Sequence, residues 1–330
     1  MRIGVVLALL TVVTLAATVL SLTVGSGHVP LEAVRNGVFS PDPSVRAELV
    51  VHEVRLPRTL AGLLAGVALG LAGAVIQGLT RNPLADPGLL GVNAGAAVFV
   101  VFAMSVLALT DPAHYIWFGF LGACLAAVLV YGVGSLGREG ATPVKLALVG
   151  AATTAALGSV TNVMLLADSQ TFDQFRFWQI GALDTRDMGL LGQALPFIAA
   201  GAVIALGLGP RLNGLALGDD VARGLGQRLS VTRIWSAVSV VLLCGAATAV
   251  AGPLGFVGLA VPHVARLLTG PDYRWILACS ALLAPALLLL ADVAGRVVAR
   301  PGEVQVGVVT AALGCVPFIL LVRRSARGAL

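Results

Sequence analysis

The segment from Arg55 to Gly95 constrains this chain more than any other part of it. It reads RLPRTLAGLLAGVALGLAGAVIQGLTRNPLADPGLLGVNAG. Two arginines stand at its start, followed by an apolar run with a small residue at every fourth position, a polar interruption and a second, glycine-rich apolar stretch. Small residues at that spacing let membrane helices approach closely. Because Pro83 and Pro87 cannot continue a helix, the chain must turn after this run. The pattern predicts a tightly packed helix followed by a turn or re-entrant element, and it favours a transport pathway over a simple anchor.

The composition and the apolar runs predict that the whole chain lies in a membrane. Hydrophobic residues make up 58% and charged residues 11% of the 330 residues, which is too little polar surface to cover a soluble fold. Runs long enough to cross a hydrocarbon core of about 30 Å occur about ten times, without the alternating polarity of barrel strands. They predict an all-α polytopic membrane protein in which residues 1–330 form one transmembrane domain. The expected spans are 3–24, 58–79, 89–109, 114–136, 143–167, 188–209, 232–251, 254–269, 274–295 and 303–322.

The first span has a second interpretation. Arg2 precedes a hydrophobic stretch that ends near small residues at Ser21 to Gly27, as a cleaved signal peptide would. The stretch of about 22 residues is longer than the usual signal core. We therefore favour a retained helix.

The distribution of basic residues predicts the orientation. With an even number of spans and both termini inside, the inner side carries 13 of the 21 Lys and Arg residues but only 5 of the 16 acidic residues. This bias fits cytoplasmic termini. The remaining arginines lie outside against the trend, and some of them are candidates for binding an acidic partner; they are Arg35, Arg46, Arg55, Arg58, Arg176, Arg186, Arg296 and Arg300.

One long polar segment, Arg211 to Arg233, lies on the inner side. Asp219 and Asp220 follow Gly218, and the pattern predicts an N-capped short helix that ends at Gly226. A short helix outside the membrane is a candidate docking element for a cytoplasmic protein. The alternative is an ordinary solvated loop.

Few other residues in the spans carry chemistry. Asp292 and Arg296 are four positions apart, so they can pair on a helix. His263 stands beside Pro262, where a structural hydrogen-bonding role is favoured over a ligand or proton-relay role. The four cysteines lie in apolar runs without paired spacing, and we expect no metal site.

The motifs that are missing also limit the function. There is no G-x-x-x-x-G-K-[ST] loop, so any ATP must be used by another subunit, and we expect no cofactor bound to this chain. No cluster of nucleophile, base and oxyanion donors is visible, so we expect a transport subunit without catalytic residues. A proton-coupled secondary transporter is the alternative, with Asp292 and His263 as its only titrating candidates. A membrane scaffold or receptor subunit is a further alternative.

Five ordered motifs resemble those of the FecCD family of ABC importer permeases, which carry ferric siderophores, haem and vitamin B12 across the bacterial inner membrane. The resemblance covers nearly the whole chain and implies the architecture of a type II ABC importer. It also implies a second permease subunit, identical or similar, two ATPase subunits, a substrate-binding protein and membrane lipid as partners, with no nucleic acid. The motifs are the opening segment, LALGDDVARGLG, GPLGFVGLAVPHVARLLTG, LLLLADVAGR and GEVQVGVVTAALGCVPFILLVRR.

The same resemblance assigns roles to individual residues. It implies that a cytoplasmic coupling segment of about residues 211–230 sits in a cleft of the ATPase, with Leu215, Gly218, Asp219, Asp220, Ala222 and Gly226 as its residues. It implies that Arg55, Arg58 and Arg296 meet acidic residues of the binding protein. It places the pathway between two permease subunits, near Gln77, Asn82, Thr142 and Thr310. A ferric siderophore is the expected cargo, with haem and cobalamin left open.

Overall fold

The structure is a computed structural model that describes residues 3–25, 27, 29–109, 111–136, 142–184, 187–300 and 302–315. In this part of the chain every regular element is helical. The α-helices are α1 (Ile3–Thr23), α2 (Leu31–Phe39), α3 (Arg46–Val50), α4 (Leu56–Thr80), α5 (Val92–Ser105), α6 (Pro112–Gly134), α7 (Pro143–Ala167), α8 (Ser169–Ile180), α9 (Met188–Gly207), α10 (Gly209–Ala216), α11 (Asp219–Gly224), α12 (Leu229–Ala251), α13 (Val257–Thr269), α14 (Tyr273–Val298) and α15 (Val306–Cys315). A π-helical turn, Val51–Arg55, joins α3 to α4, and a 3-10 turn, Pro87–Leu90, precedes α5.

The prediction of an all-helical membrane protein is confirmed. Within the described residues, seven helices are long and apolar enough to cross a membrane, namely α1, the continuous helix Arg46–Thr80, α6, α7, α9, α12 and α14. Three shorter apolar helices, α5, α13 and α15, coincide with the other expected spans. The rest of the last expected span, residues 316–322, lies outside the described residues, as does the end of the last motif.

Helix α4 is the centre of the bundle. Every residue from Ala68 to Thr80 is buried, and α4 packs against α9, α12, α13 and α14. The small residues make this possible: a Cβ added at Gly70 would lie 2.5 Å from the carbonyl oxygen of Ser280, and one at Gly66 would meet the backbone of Pro285. The stripe of small residues therefore serves close packing against α14, and its residues line no pore within this subunit.

The polar break after α4 forms the predicted turn. Arg81 ends the helix in the left-handed region at φ 52°, and Asn82 Oδ1 accepts a hydrogen bond from the Leu84 amide at 2.9 Å. Asp86 Oδ1 accepts from the Gly88 amide at 2.8 Å and so caps the 3-10 turn. These side-chain contacts satisfy backbone groups that the two prolines leave without helical partners.

The helices α2 and α8 are absent from the sequence prediction. Helix α8 begins at a cap in which Asp168 accepts from the Gln170 amide at 3.0 Å. Both helices are short and polar enough to be taken for loops by a search for long apolar runs. They lie at the end of the bundle that also holds Arg58 and Arg296, called the outer end below; the end that holds α10 and α11 is the inner end.

Candidate functional site

The polar segment at the inner end folds into two short helices, α10 and α11, where the sequence predicted one. Gly218 joins them at φ 106°, a conformation that residues with a Cβ rarely adopt. Leu215 and Ala222 are buried and attach the two helices to the bundle. Gly226 closes the segment at φ 79°, as the prediction of a glycine stop required.

The predicted short helix begins directly after Gly218, which is its N-cap, and within the described residues no side chain caps it. Asp219 instead pairs with Arg233 at 2.7 Å and with Arg81 at 3.6 Å. Asp220 pairs with Arg223 one turn later, at 2.9 Å. Asp219 therefore ties α11 to α12 and to the end of α4, which is a positioning role that the sequence did not reveal.

Between these anchors the segment exposes an apolar surface. Val221 of α11 and Leu225 at its C-cap are 48% and 65% exposed, and Leu217, at the end of α10 just before the turn at Gly218, is 65% exposed. We call these three residues the coupling surface. They lie next to charged side chains, on a segment that does not belong to any membrane-spanning helix. An apolar surface of this kind, outside the membrane and with a polar rim, is typical of a protein-binding site.

The four predicted pathway residues lie at separate places. Gln77 is fully buried and donates from Nε2 to the Leu259 carbonyl at 3.0 Å, so it joins α4 to α13. Asn82 is exposed in the turn after α4. Thr142 caps α7 by accepting from the Lys145 amide at 3.4 Å. Thr310 is 2% exposed and donates to the Gly307 carbonyl at 3.1 Å. The structure gives Gln77 and Thr310 packing roles within the subunit, and a pathway role for these residues stays a prediction that their burial does not support.

A polar surface on α7 was missed by the sequence reasoning. Thr154, Ser159 and Asn162 are exposed on a helix whose other exposed residues are apolar. Thr154 and Asn162 also line a cavity of about 450 Å³ between α5, α7 and α8. In contrast, the exposed side chains of α1 include Val5, Leu9, Val12, Leu15 and Val19, as expected for a surface that faces lipid. The signal for the α7 surface was present in the sequence as a cluster of Thr, Ser and Asn inside an apolar run.

The three predicted docking arginines lie inside the outer end of the bundle. Arg55, Arg58 and Arg296 are only 5%, 9% and 2% exposed. Arg55 donates to the carbonyls of Leu22, Thr23 and Gly27 at 2.7–2.8 Å, which caps the C-terminal end of α1.

Asp292 holds the other two arginines. Its carboxylate is 0% exposed and lies 2.7 Å from Arg58 Nη2 and 2.9 Å from Arg296 Nη2, so the predicted pairing with Arg296 is confirmed. Arg58 also pairs with Glu303 at 2.6 Å. Arg296 donates to the Ser21 carbonyl at 3.0 Å. The guanidinium groups are therefore held mainly by partners within the chain.

These arginines also border open space. Arg55, Arg58 and Arg296, together with Arg46 and Glu303, line a cavity of about 490 Å³ at the outer end. Arg296 Nε has no hydrogen-bond partner. The cavity thus combines four basic groups with one acidic group, and its chemistry suits a carboxylate.

The comparisons with known proteins decide the family. The FecCD transport family matches residues 13–324. The chain belongs to the FecCD transport family. It is 45% identical over 313 residues to the ferric enterobactin transport system permease protein FepD of Escherichia coli (strain K12), an alignment that covers 94% of this chain and 93% of FepD. It is 41% identical over 289 residues to YfiZ of Bacillus subtilis (strain 168), described as a probable siderophore transport system permease protein, with 88% of this chain and 87% of YfiZ covered.

A solved structure agrees with this family. It is a metal-chelate type ABC transporter in an inward-facing conformation, and it matches 98% of this chain and 99% of its own with a TM-score of 0.84 and 25% identity. The FecCD chain described here is thus a multi-pass membrane protein and the permease subunit of an ABC transporter, and it is not an enzyme. Both the architecture and the class that the sequence predicted are confirmed.

Proposed function

We propose that this chain imports a ferric siderophore across the bacterial inner membrane, as one of two permease subunits driven by two separate ATPase subunits. The single observation that carries the proposal is the coupling surface, Leu217, Val221 and Leu225, on a family member that is otherwise built from membrane helices. A transporter without a nucleotide-binding loop of its own needs a surface that binds an ATPase, so that movement of the ATPase is transmitted to the membrane helices. The similarity to FepD and YfiZ, which are described as ferric enterobactin and siderophore transport permeases, supports a siderophore as the cargo.

We propose that the segment of about residues 211–230 is the part that the ATPase moves. Its backbone turns at two glycines with positive φ, Gly218 and Gly226, and Asp219 fixes its base to two arginines. The segment can therefore follow a partner as one rigid piece. ATP binding in the partner would shift the permease pair between outward-open and inward-open states by biasing a two-state equilibrium.

The outer end is the proposed docking site of a substrate-binding protein. The support is the cavity lined by Arg46, Arg55, Arg58 and Arg296, which can accept a carboxylate from a partner. Because Arg55, Arg58 and Arg296 also hold the outer end together, any change in them should affect stability as well as docking. Binding of the partner at low and high salt, measured with folded variants, would separate the two contributions.

We propose that the cargo passes between this subunit and a second permease, and that the polar surface of α7 faces it. The support is that Thr154 and Asn162 line an open cavity beside α7 and that the exposed Asn162 amide would be unfavourable against lipid. Both termini are proposed to be cytoplasmic, on the charge distribution alone.

A proton-coupled carrier is the second candidate, and no specific observation favours it. It needs a titrating group. Of the two candidates, Asp292 is enclosed by two arginines and has no exposed surface, which leaves His263. The test is uptake of radiolabelled ferric siderophore by cells that lack the chain and by cells that have it restored. Uptake that fails on ATP depletion but survives a protonophore supports the importer. Uptake that survives ATP depletion but fails with a protonophore would overturn the importer. Haem and cobalamin are added as competitors, and if either abolished uptake, the proposed cargo would be wrong.

A further inference from the structure

The coupling segment is joined to the membrane helices at one side chain in particular, Asn213 of α10. Its Nδ2 donates to Asp272 Oδ1 at 2.7 Å, and its Oδ1 accepts from the Tyr273 amide at 2.8 Å. Both ends of one planar amide are therefore bound to the start of α14. Two contacts of this kind fix the orientation of α10 against α14 as well as its distance.

The contact is built into the start of α14. The same Oδ1 of Asp272 accepts from the Arg274 amide at 2.9 Å and caps the helix. The hydrogen bond from the Asn213 amide is the main reason why the pKa of Asp272 lies below its ordinary value, and this carboxylate is charged at neutral pH. A charged acceptor makes the hydrogen bond stronger than one between neutral groups.

Close packing surrounds the contact. Tyr273 is 5% exposed, and its hydroxyl accepts from Arg266 of α13 at 2.7 Å. A Cβ added at Gly78 of α4 would lie 2.9 Å from the Tyr273 ring, and one added at Gly209 would lie 3.2 Å from the Cα of Arg274. Helices α4, α10, α13 and α14 thus approach one another closely around Tyr273.

Helix α14 continues from this point to the outer end. Its 26 residues span about 39 Å at 1.5 Å per residue. At its far end Asp292 and Arg296 join it to α4 and to the end of α1. The second attachment of the coupling segment, Asp219 with Arg81 and Arg233, leads to α4 and α12.

We propose that Asn213 is a positioning residue for energy coupling, the joint through which movement of the coupling segment passes to α14 and from there to the outer end. This inference rests on the proposed function. Without the two Asn213 contacts, α10 can move with the ATPase while α14 stays behind. ATP would then be hydrolysed without import.

The test uses the whole complex in proteoliposomes, with the ATPase, the binding protein and radiolabelled ferric siderophore. ATP hydrolysis and uptake are measured in the same vesicles, and their ratio gives the molecules imported per ATP. Asn213→Leu has nearly the shape of asparagine but makes neither hydrogen bond. We expect it to retain the ATPase on purification and to hydrolyse ATP, with a ratio at least tenfold lower than the unaltered chain.

The matched control is Thr269→Val at the inner end of α13. The Thr269 hydroxyl donates to Ala265 within its own helix at 2.9 Å, so its loss should leave the ratio unchanged. An unchanged ratio in Asn213→Leu, with uptake and hydrolysis either normal or reduced together, would overturn the proposal. If the unaltered chain shows no ATP-dependent uptake in these vesicles, the proposed function itself fails.

Asn213→Asp gives a second test that does not depend on the leucine variant folding. At neutral pH its carboxylate would repel Asp272, whereas a protonated carboxyl could again donate to Asp272 and accept from the Tyr273 amide. Arg274 is a charged group that acts on Asp272 here, and Arg266 donates to the Tyr273 hydroxyl. We expect the ratio of Asn213→Asp to rise several-fold between pH 7.5 and pH 5.5, relative to the unaltered chain. A ratio that is low at both values, or normal at both, would count against the joint.

Discussion

Replacing Asp292 with asparagine should destabilise this chain by about 3–5 kcal/mol, the usual cost of removing one partner from a buried ion pair. The carboxylate is 0% exposed and lies 2.7 Å from Arg58 and 2.9 Å from Arg296. Asparagine has the same shape, so little packing is lost. The substitution removes the negative charge that lies between two buried guanidinium groups. Arg58 keeps a second acidic partner, Glu303.

Unfolding of the purified chain in mixed micelles measures this cost as a change in the free energy of unfolding. The matched control is Asp173→Asn, which removes an exposed pair with Arg176 at 3.4 Å and should change the free energy by less than about 1 kcal/mol. In the double variant Asp292→Asn with Arg296→Gln, the loss should be smaller than the sum of the two single losses, because the second change removes the unpaired cation. An Asp292→Asn variant as stable as the unaltered chain would refute the view that this carboxylate holds the outer end together.

Three further predictions follow from the described contacts. The double variant Val221→Asp with Leu225→Asp should abolish copurification of the ATPase without affecting membrane insertion, because both residues are exposed and apolar outside the membrane. Normal copurification would show that the coupling surface does not bind the ATPase. Gly70→Ala should destabilise the fold by about 1–3 kcal/mol, since its Cβ would lie 2.5 Å from a backbone oxygen. The control Gly132→Ala, whose Cβ would have nothing within 4 Å, should be tolerated. Equal free energies of unfolding for the two variants would contradict this packing. Asp272→Asn should lower the free energy of unfolding at pH 7. The pKa of Asp272 is lowered in the folded state, so its charge stabilises the fold above the pKa of the unfolded state, and this contribution is lost as the pH falls below about 4. A difference between the variant and the unaltered chain that does not depend on pH would show that the charge is not involved.

The sequence predicted the features that depend on local pattern. Small residues at every fourth position of α4 and two prolines after it are enough to predict a close-packed helix and a turn, because both effects act over a few residues. The pair of Asp292 and Arg296 was predictable for the same reason, since four residues make one turn of a helix.

Features that depend on distant parts of the chain were not predictable. Arg58 and Asp292 are 234 positions apart, and no local pattern in either motif indicates their contact. The family resemblance implied that the arginines meet acidic residues of a binding protein, yet Arg55 has its partners in the backbone at the end of α1. Backbone acceptors of this kind leave no mark in the sequence. Asn213 was passed over for the same reason, since its two partners lie about 60 positions away in the chain, at the start of α14.

The coupling segment was partly predictable. Its glycines and its acidic pair indicated a short helix outside the membrane. Which side chains faced outwards could not be read from the segment alone, because Leu215 and Leu217 are equally apolar and only the first is buried. The difference is set by contacts with the bundle.

The most direct test of the account is uptake of radiolabelled ferric siderophore into proteoliposomes that hold this chain with its ATPase and binding protein, loaded inside with ATP or with ADP. The account predicts accumulation with ATP and none with ADP, and loss of the ATP-driven uptake in the variant Val221→Asp with Leu225→Asp. Equal uptake with ATP and ADP, or uptake driven by a proton gradient alone, would contradict it.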